Sequence, residues 1–153
     1  MNRILAHSAY KDKPAHGYGS HISGVVTKVK NNLEEIRNYI SPELFDLMES
    51  ILLPAANYHD LGKLDKLNQK VLNDEYIHKH LPVEHRDAGV KFLKDKYIDC
   101  FAVTLVYAHH KPGLPNINDE KYSNMPFRFR EASIYTDKYL NEYLLLHEQE
   151  LSK

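Results

Sequence analysis

From His21 onward, Ile22, Val25, Val26, Val29, Leu33 and Ile36 recur at three- and four-residue steps, the spacing that lines one stripe of an α-helix. His21 shares that stripe with Val25. Ser41-Pro42, a cap residue followed by proline at the first helical position, opens a second amphipathic helix carried by Leu44, Leu47, Met48, Ile51 and Leu52. Pro54 removes a backbone donor and predicts a kink or a restart, leaving Ala55 to Asp60 as a short final piece stopped by Gly62. Leu64, Leu67 and Val71 predict a short helix, followed by a polar connection from Asn73 to Leu81. Pro82 starts another, in which His85, Ala88, Gly89 and Phe92 fall on one face. Within the run Ile98 to His110, Phe101 to Tyr107 fits a buried strand, but the length of the run and the lack of other strand-like runs favour a buried helix. Lys111-Pro112-Gly113-Leu114-Pro115-Asn116 ends it with turn residues and begins a loop reaching about to Pro126. A last helix runs from about Arg128, with Ile134, Asp137, Leu140 and Leu144 aligned. The pattern predicts an all-α bundle of roughly five to seven helices around one core.

Composition narrows what such a bundle can do. The 153 residues are about one domain's worth, and 20 Lys and Arg against 21 Asp and Glu give a formal charge of -1, with no global field for nucleic acid or anionic membrane. Phosphate binding must then be local. The apolar run around Ala102 to Ala108 is far short of the roughly 20 residues that span a bilayer, and the first residues lack a secretory pattern, so a soluble cytoplasmic protein is expected. The single cysteine, Cys100, has an apolar context and reads as a small buried residue. Ten histidines are many for this length. His7, His16, His78, His80 and His147 lie among polar neighbours and read as solvated surface residues, with His7 and Ser8 kept as accessory candidates.

The chemistry concentrates at Tyr58-His59-Asp60-Leu61-Gly62-Lys63. His59 supplies a metal-binding nitrogen, and Asp60, with two acceptor oxygens, is able to bridge two ions. Imidazole and carboxylate together suit manganese, iron, nickel or zinc, with magnesium favouring more oxygen. Adjacent residues converge on one centre only where a helix ends and its backbone leaves regular geometry. The same holds for His109 and His110: His109 shares a stripe with Leu105 and Phe101, His110 with Val106, and the helix stops after them.

His21, then His59-Asp60, then Asp137 resemble the order of ligands in the HD superfamily of metal-dependent phosphohydrolases. His59-Asp-Leu-Gly-Lys63, His85 with Ala88-Gly89, Ala108-His109-His110-Lys-Pro-Gly113 and the early Leu5-Ala6-His7-Ser8 look like the HD nuclease of type I CRISPR systems, and the similarity spans nearly the whole chain. That resemblance implies a single HD nuclease domain over residues 1–153, holding one or two divalent ions (manganese, magnesium, nickel, cobalt or iron) and cutting single-stranded DNA. It also implies a helicase and a guide-RNA surveillance complex as partners. No helicase motif is present, which leaves a stand-alone subunit and a nuclease domain with its motor on another polypeptide both open. By the resemblance, His21, His59, Asp60 and Asp137 would hold one ion and Asp60, His85, His109 and His110 a second. Lys63 would contact a phosphate oxygen or orient the bridging carboxylate.

Each residue also has a plainer reading. Asp60 would be a cap, His109, His110 and Lys63 would complement helix dipoles, and His21 and Asp137 would face water. Lys111, Arg128 and Arg130 are candidate phosphate contacts, and Tyr107, Tyr122 and Phe127 candidate stacking partners for unpaired bases, although an ordinary surface or packing role is the better reading of each. The alternative activity is hydrolysis of a nucleotide or signalling nucleotide, which needs a closed pocket where a nuclease needs an open groove. A binding module without catalysis is the third reading, against which the intact ligand set argues.

Overall fold

The computed structural model describes residues 3–74, 80–96, 101–110 and 131–153, with side chains of the last stretch described from 135. Cys100, His78, Lys111, Tyr122, Phe127, Arg128, Arg130 and the turn-rich segment after His110 lie outside the described residues. Among those described there are six α-helices: α1 (Tyr18–Ile36), α2 (Pro42–Tyr58), α3 (Lys66–Leu72), α4 (His85–Lys96), α5 (Phe101–Ala108) and α6 (Glu131–Leu151). The all-α expectation holds, and Phe101 to Ala108 is the helix that its length favoured. One small sheet was not foreseen: β1 (Leu5–His7) pairs antiparallel with β2 (His16–Gly17), Leu5 opposite Gly17 and His7 opposite His16.

Local chemistry explains most element ends. The Ser41 hydroxyl accepts from the Leu44 N–H at 3.2 Å and Pro42 takes the first position, as the cap signal required. Pro54 neither stops nor restarts α2, which runs on to Tyr58. Its missing N–H forfeits one ladder bond, while burial of Ala55 and Ala56 directly after it holds the last turns in place. A tight 3-10 turn over Leu61–Leu64 then carries the chain away from the helix axis.

The apolar stripes needed correction in two places. On α2 it is Phe45 that is buried, whereas Leu44 and Leu47 stay exposed; on α3 the inward side is Asn68, Gln69 and Leu72, and Leu67 is exposed. Polar side chains fill that inner face because they bind backbone that has no ladder partner. Asn68 donates to the Gly62 and Val83 carbonyls at 2.9 Å each and accepts from the Val83 N–H at 3.0 Å, which pins the chain leading into α4 against the 3-10 turn. Asp65 accepts from the Leu67 N–H and from the hydroxyls of Tyr143 and Tyr135, tying α6 to the same segment.

Two apolar clusters flank this segment. Ala6, Tyr18, Ile22, Leu61, Leu64, Ala88 and Tyr143 form one, and Ala55, Val90, Leu93, Ala102, Val103, Val106 and Tyr107 the other. Tyr58 and Phe92 pack against both, so the residues after α2 sit where the two meet. Close approach there depends on glycine. A Cβ on Gly62 would lie 2.6 Å from the His85 carbonyl oxygen, and one on Gly89 would overlap the Tyr58 carbonyl. Backbone contact at these two points seats α4 on the end of α2.

Candidate metal centre

His59 caps the end of α2 and Asp60 directly precedes the 3-10 turn, so the break in helical geometry turns both side chains the same way. Asp60 is 1% exposed. Its Oδ2 lies 3.1 Å from His21 Nε2, 3.4 Å from His59 Nε2 and 2.8 Å from Lys63 Nζ. Its Oδ1 lies 3.6 Å from His85 Nε2 and 3.5 Å from His109 Nε2. One carboxylate thus divides the imidazoles between its two oxygens. His110 joins the second set, its ring centroid 4.1 Å from that of His109 in a tilted contact and 4.8 Å from that of His85 edge-on.

Two groups of side chains have ligand atoms within 4.8 Å of one another, and each could hold a metal ion: Asp60 with His85, His109 and His110, and Asp60 with His21 and His7. His59 adjoins the second group, its Nε2 3.1 Å from His21 Nε2. Proton placement orients two of the rings. His59 Nδ1 faces the Ala56 carbonyl at 2.8 Å and His109 Nδ1 faces the Val106 carbonyl, and a carbonyl only accepts. Both Nδ1 atoms therefore carry a proton, so each ring meets Asp60 through Nε2, and a metal ion bound there would sit between these nitrogens and the carboxylate oxygens. Asp60 Oδ1 and His85 Nε2 are both buried without a hydrogen-bond partner, the condition expected of ligand atoms.

The electrostatics agree. Burial by itself would raise the Asp60 pKa, but its close contacts with His109, His21 and His59 and the charge of Lys63 hold it far below the carboxylate range. Burial first, and then the charge of Lys63, lowers His85 to about 3. His110 is also lowered, by burial and by His109. Ionised carboxylate and neutral imidazole are the forms that bind metal.

No family model, curated protein or solved structure matches this chain. The reading of the site therefore stands on its residues.

Of the residues singled out from the sequence, His21, His59, Asp60, Lys63, His85, His109 and His110 meet at this centre. Asp137 does not. Its side chain is 48% exposed and pairs with Lys91 at 3.3 Å, and neither ligand group among the described residues includes it. Among the described side chains of α6 the buried ones are Thr136, Tyr143 and His147, with Leu140 packed against the core, so the inner stripe runs one residue ahead of Asp137 and leaves it about 100° round the helix. Tyr107 is corrected as well: it is buried in the second cluster, with Arg86 over its ring, and offers no face to a base.

His147 is not a solvated histidine. It is buried, its Nδ1 shares a 2.9 Å hydrogen bond with the Tyr18 hydroxyl, and its Nε2 has no partner. Burial lowers its pKa to about 4. Folded His147 stays neutral where the unfolded residue, titrating near 6.5, takes a proton, so the unfolded state binds more protons and stability falls as pH drops from about 6.5 to about 4. Urea titrations across that window should lose on the order of 2 kcal/mol through this residue, and His147→Phe should flatten that part of the slope. An unchanged slope in the variant would refute the assignment.

Two of the cavities lined by described residues adjoin the centre, and they share no lining residue. One, of about 560 Å³, is walled by Val25, Val29, Leu52 and Leu105 and reaches His59 and His109. The other, of about 520 Å³, is lined by His80, Glu84 and Arg86 and reaches His85 and His110. Arg86 is fixed there by a two-pronged ion pair with Glu84, at 2.8 and 2.7 Å. No described helix is long and apolar enough to cross a membrane.

Proposed function

We propose that this chain is a metal-dependent phosphodiesterase that cuts single-stranded DNA, acting with a helicase and a guide-RNA surveillance complex as HD nucleases of CRISPR interference do. The observation that carries the hydrolytic part is the Asp60 carboxylate, whose two oxygens each face a separate set of imidazole nitrogens. DNA as substrate, the partners and a cytoplasmic location rest on the sequence resemblance. Divalent ions bound there would act as Lewis acids, lowering the pKa of water and neutralising charge on phosphoryl oxygens.

The chain's own part is positioning. His59 and His109, each locked by its Nδ1 proton to a carbonyl three residues earlier, present Nε2 in a fixed direction. Lys63 is 3% exposed and held at 2.8 Å from Asp60 Oδ2, which favours orienting the carboxylate over reaching a phosphate in solvent. Separate cavities on the His59–His109 and His85–His110 sides suit a strand laid across the centre, with Arg86 beside the polar one. A second reading, hydrolysis of a nucleotide, is favoured by the apolar cavity of about 560 Å³, large enough for a base and sugar.

The test is incubation of metal-stripped protein with labelled single strands, duplexes and a nucleotide panel, adding magnesium, manganese, nickel, cobalt or iron in turn. Manganese or a later transition metal should restore cleavage of single-stranded DNA, with nucleotides poor substrates. Rapid nucleotide turnover with DNA untouched would overturn the nuclease reading in favour of the second.

A further inference from the structure

The geometry points to His7 as a metal ligand, carried by β1 to the Oδ2 side of Asp60, in the role that the family resemblance implied for Asp137. The inference rests on the metal-centre reading and goes beyond it in assigning a ligand from outside the helical bundle. His7 belongs with His21 and Asp60 to a group whose ligand atoms lie within 4.8 Å of one another. Its ring meets the His21 ring edge-on at 4.8 Å between centroids. Asp137, the residue otherwise expected on that side, is engaged by Lys91.

The position of His7 is built rather than incidental. Gln69 accepts from the Leu5 N–H at 2.9 Å, donates to the Leu5 carbonyl at 2.8 Å, and donates to the Lys63 carbonyl at 2.7 Å. One buried amide thus fixes β1 relative to the turn that carries Asp60 and Lys63. Ser8, on the other side of His7, donates to the Leu72 carbonyl at 2.8 Å, and the Tyr18 N–H donates to the Ile4 carbonyl at 3.0 Å. Leu5 and Ala6 are buried while His7 emerges at the rim, so the strand is anchored by its apolar residues and offers the imidazole to the centre. His16, opposite His7 in the ribbon, packs edge-on to His21 but lies outside both ligand groups and serves as the control.

The experiment measures ion binding by the full chain, independent of any cleavage, with cobalt(II) and manganese(II) as probes. Calorimetric titration of metal-stripped protein gives stoichiometry and affinity for the natural sequence and for His7→Ala, His16→Ala and Asp137→Asn. His7→Ala should lose one ion or weaken it at least about tenfold, a loss of the size seen when ligand shells are disturbed, while the other two bind as the natural protein does. His7→Cys supplies a direct readout: a thiolate on cobalt(II) adds a sulfur-to-metal charge-transfer absorption that an imidazole cannot give, and it should appear in this variant and be missing from the natural protein. Circular dichroism confirms that each variant folds. His7→Ala binding ions like the natural protein, no new absorption from His7→Cys, or a larger loss from Asp137→Asn than from His7→Ala would each overturn the inference. Natural protein that binds no ion would remove the metal centre and His7 with it. Ion binding that depends on His7 in a protein without nuclease activity would leave His7 standing and defeat the DNA reading alone.

Discussion

Asp60→Ala should abolish ion binding and lower the proposed hydrolysis by at least about a thousandfold, because it removes the only described group whose two oxygens reach both sets of imidazoles. It should also destabilise the metal-free protein. Lys63 is buried against Asp60 Oδ2, and deleting one member of a buried ion pair leaves the other charge uncompensated, a loss of about 3–5 kcal/mol. The double variant Asp60→Ala, Lys63→Met separates the two effects. Replacing both charges should recover most of the stability lost in the single variant and none of the ion binding or hydrolysis. Denaturant titration and calorimetry on the same samples read both quantities. Hydrolysis surviving in a folded Asp60→Ala protein would mean that the reaction centre lies elsewhere.

Gly89→Ala should have the second largest effect, although the residue bears no functional group. Its added methyl would overlap the Tyr58 carbonyl, backbone that cannot swing aside as a side chain can, so α4 must move off the end of α2. The expected loss is about 2–3 kcal/mol of folding stability. His85 rides at the start of α4 and would be carried away from Asp60 Oδ1, which it faces at 3.6 Å. Ion affinity on the His85–His109–His110 side should therefore fall with stability, and a misplacement of about 1 Å is enough to reduce hydrolysis roughly a hundredfold. Gly24→Ala is the matched control, since a Cβ there meets nothing within 4 Å. Equal stability and ion binding in the two variants would disprove the role given to the Gly89 contact.

Much of this was written in local pattern. Apolar spacing announced the helices, the Ser41-Pro42 cap gave the start of α2 to the residue, and the His59-Asp60 and His109-His110 pairs marked the helix ends where the candidate ligands gather. These signals are legible because period, capping and chain reversal are properties of a few neighbouring residues. The β1–β2 ribbon was not legible: strands of three and two residues carry no periodicity, and theirs is held by Gln69, some 64 positions away. His7 was consequently noted without a role among the ligands.

The opposite fates of Asp137 and His147 show the same limit. On α6 the spacing from Ile134 to Leu140 was equally consistent with a stripe through Asp137 or one a residue earlier through Thr136, Tyr143 and His147. A helical turn spans 3.6 residues, so several stripes overlap in any apolar-rich helix, and which one turns inward is settled by the surface it meets. Here the Tyr143 hydroxyl reaches Asp65 and His147 meets Tyr18. By itself, then, the sequence determined the helical class and the identity of most residues at the centre, because both depend on short-range spacing and side-chain chemistry. Only the tertiary structure decided that Asp60 lies between two sets of imidazoles, that His7 joins them and that Asp137 stays outside, because those placements depend on distant segments packing to a fraction of an ångström.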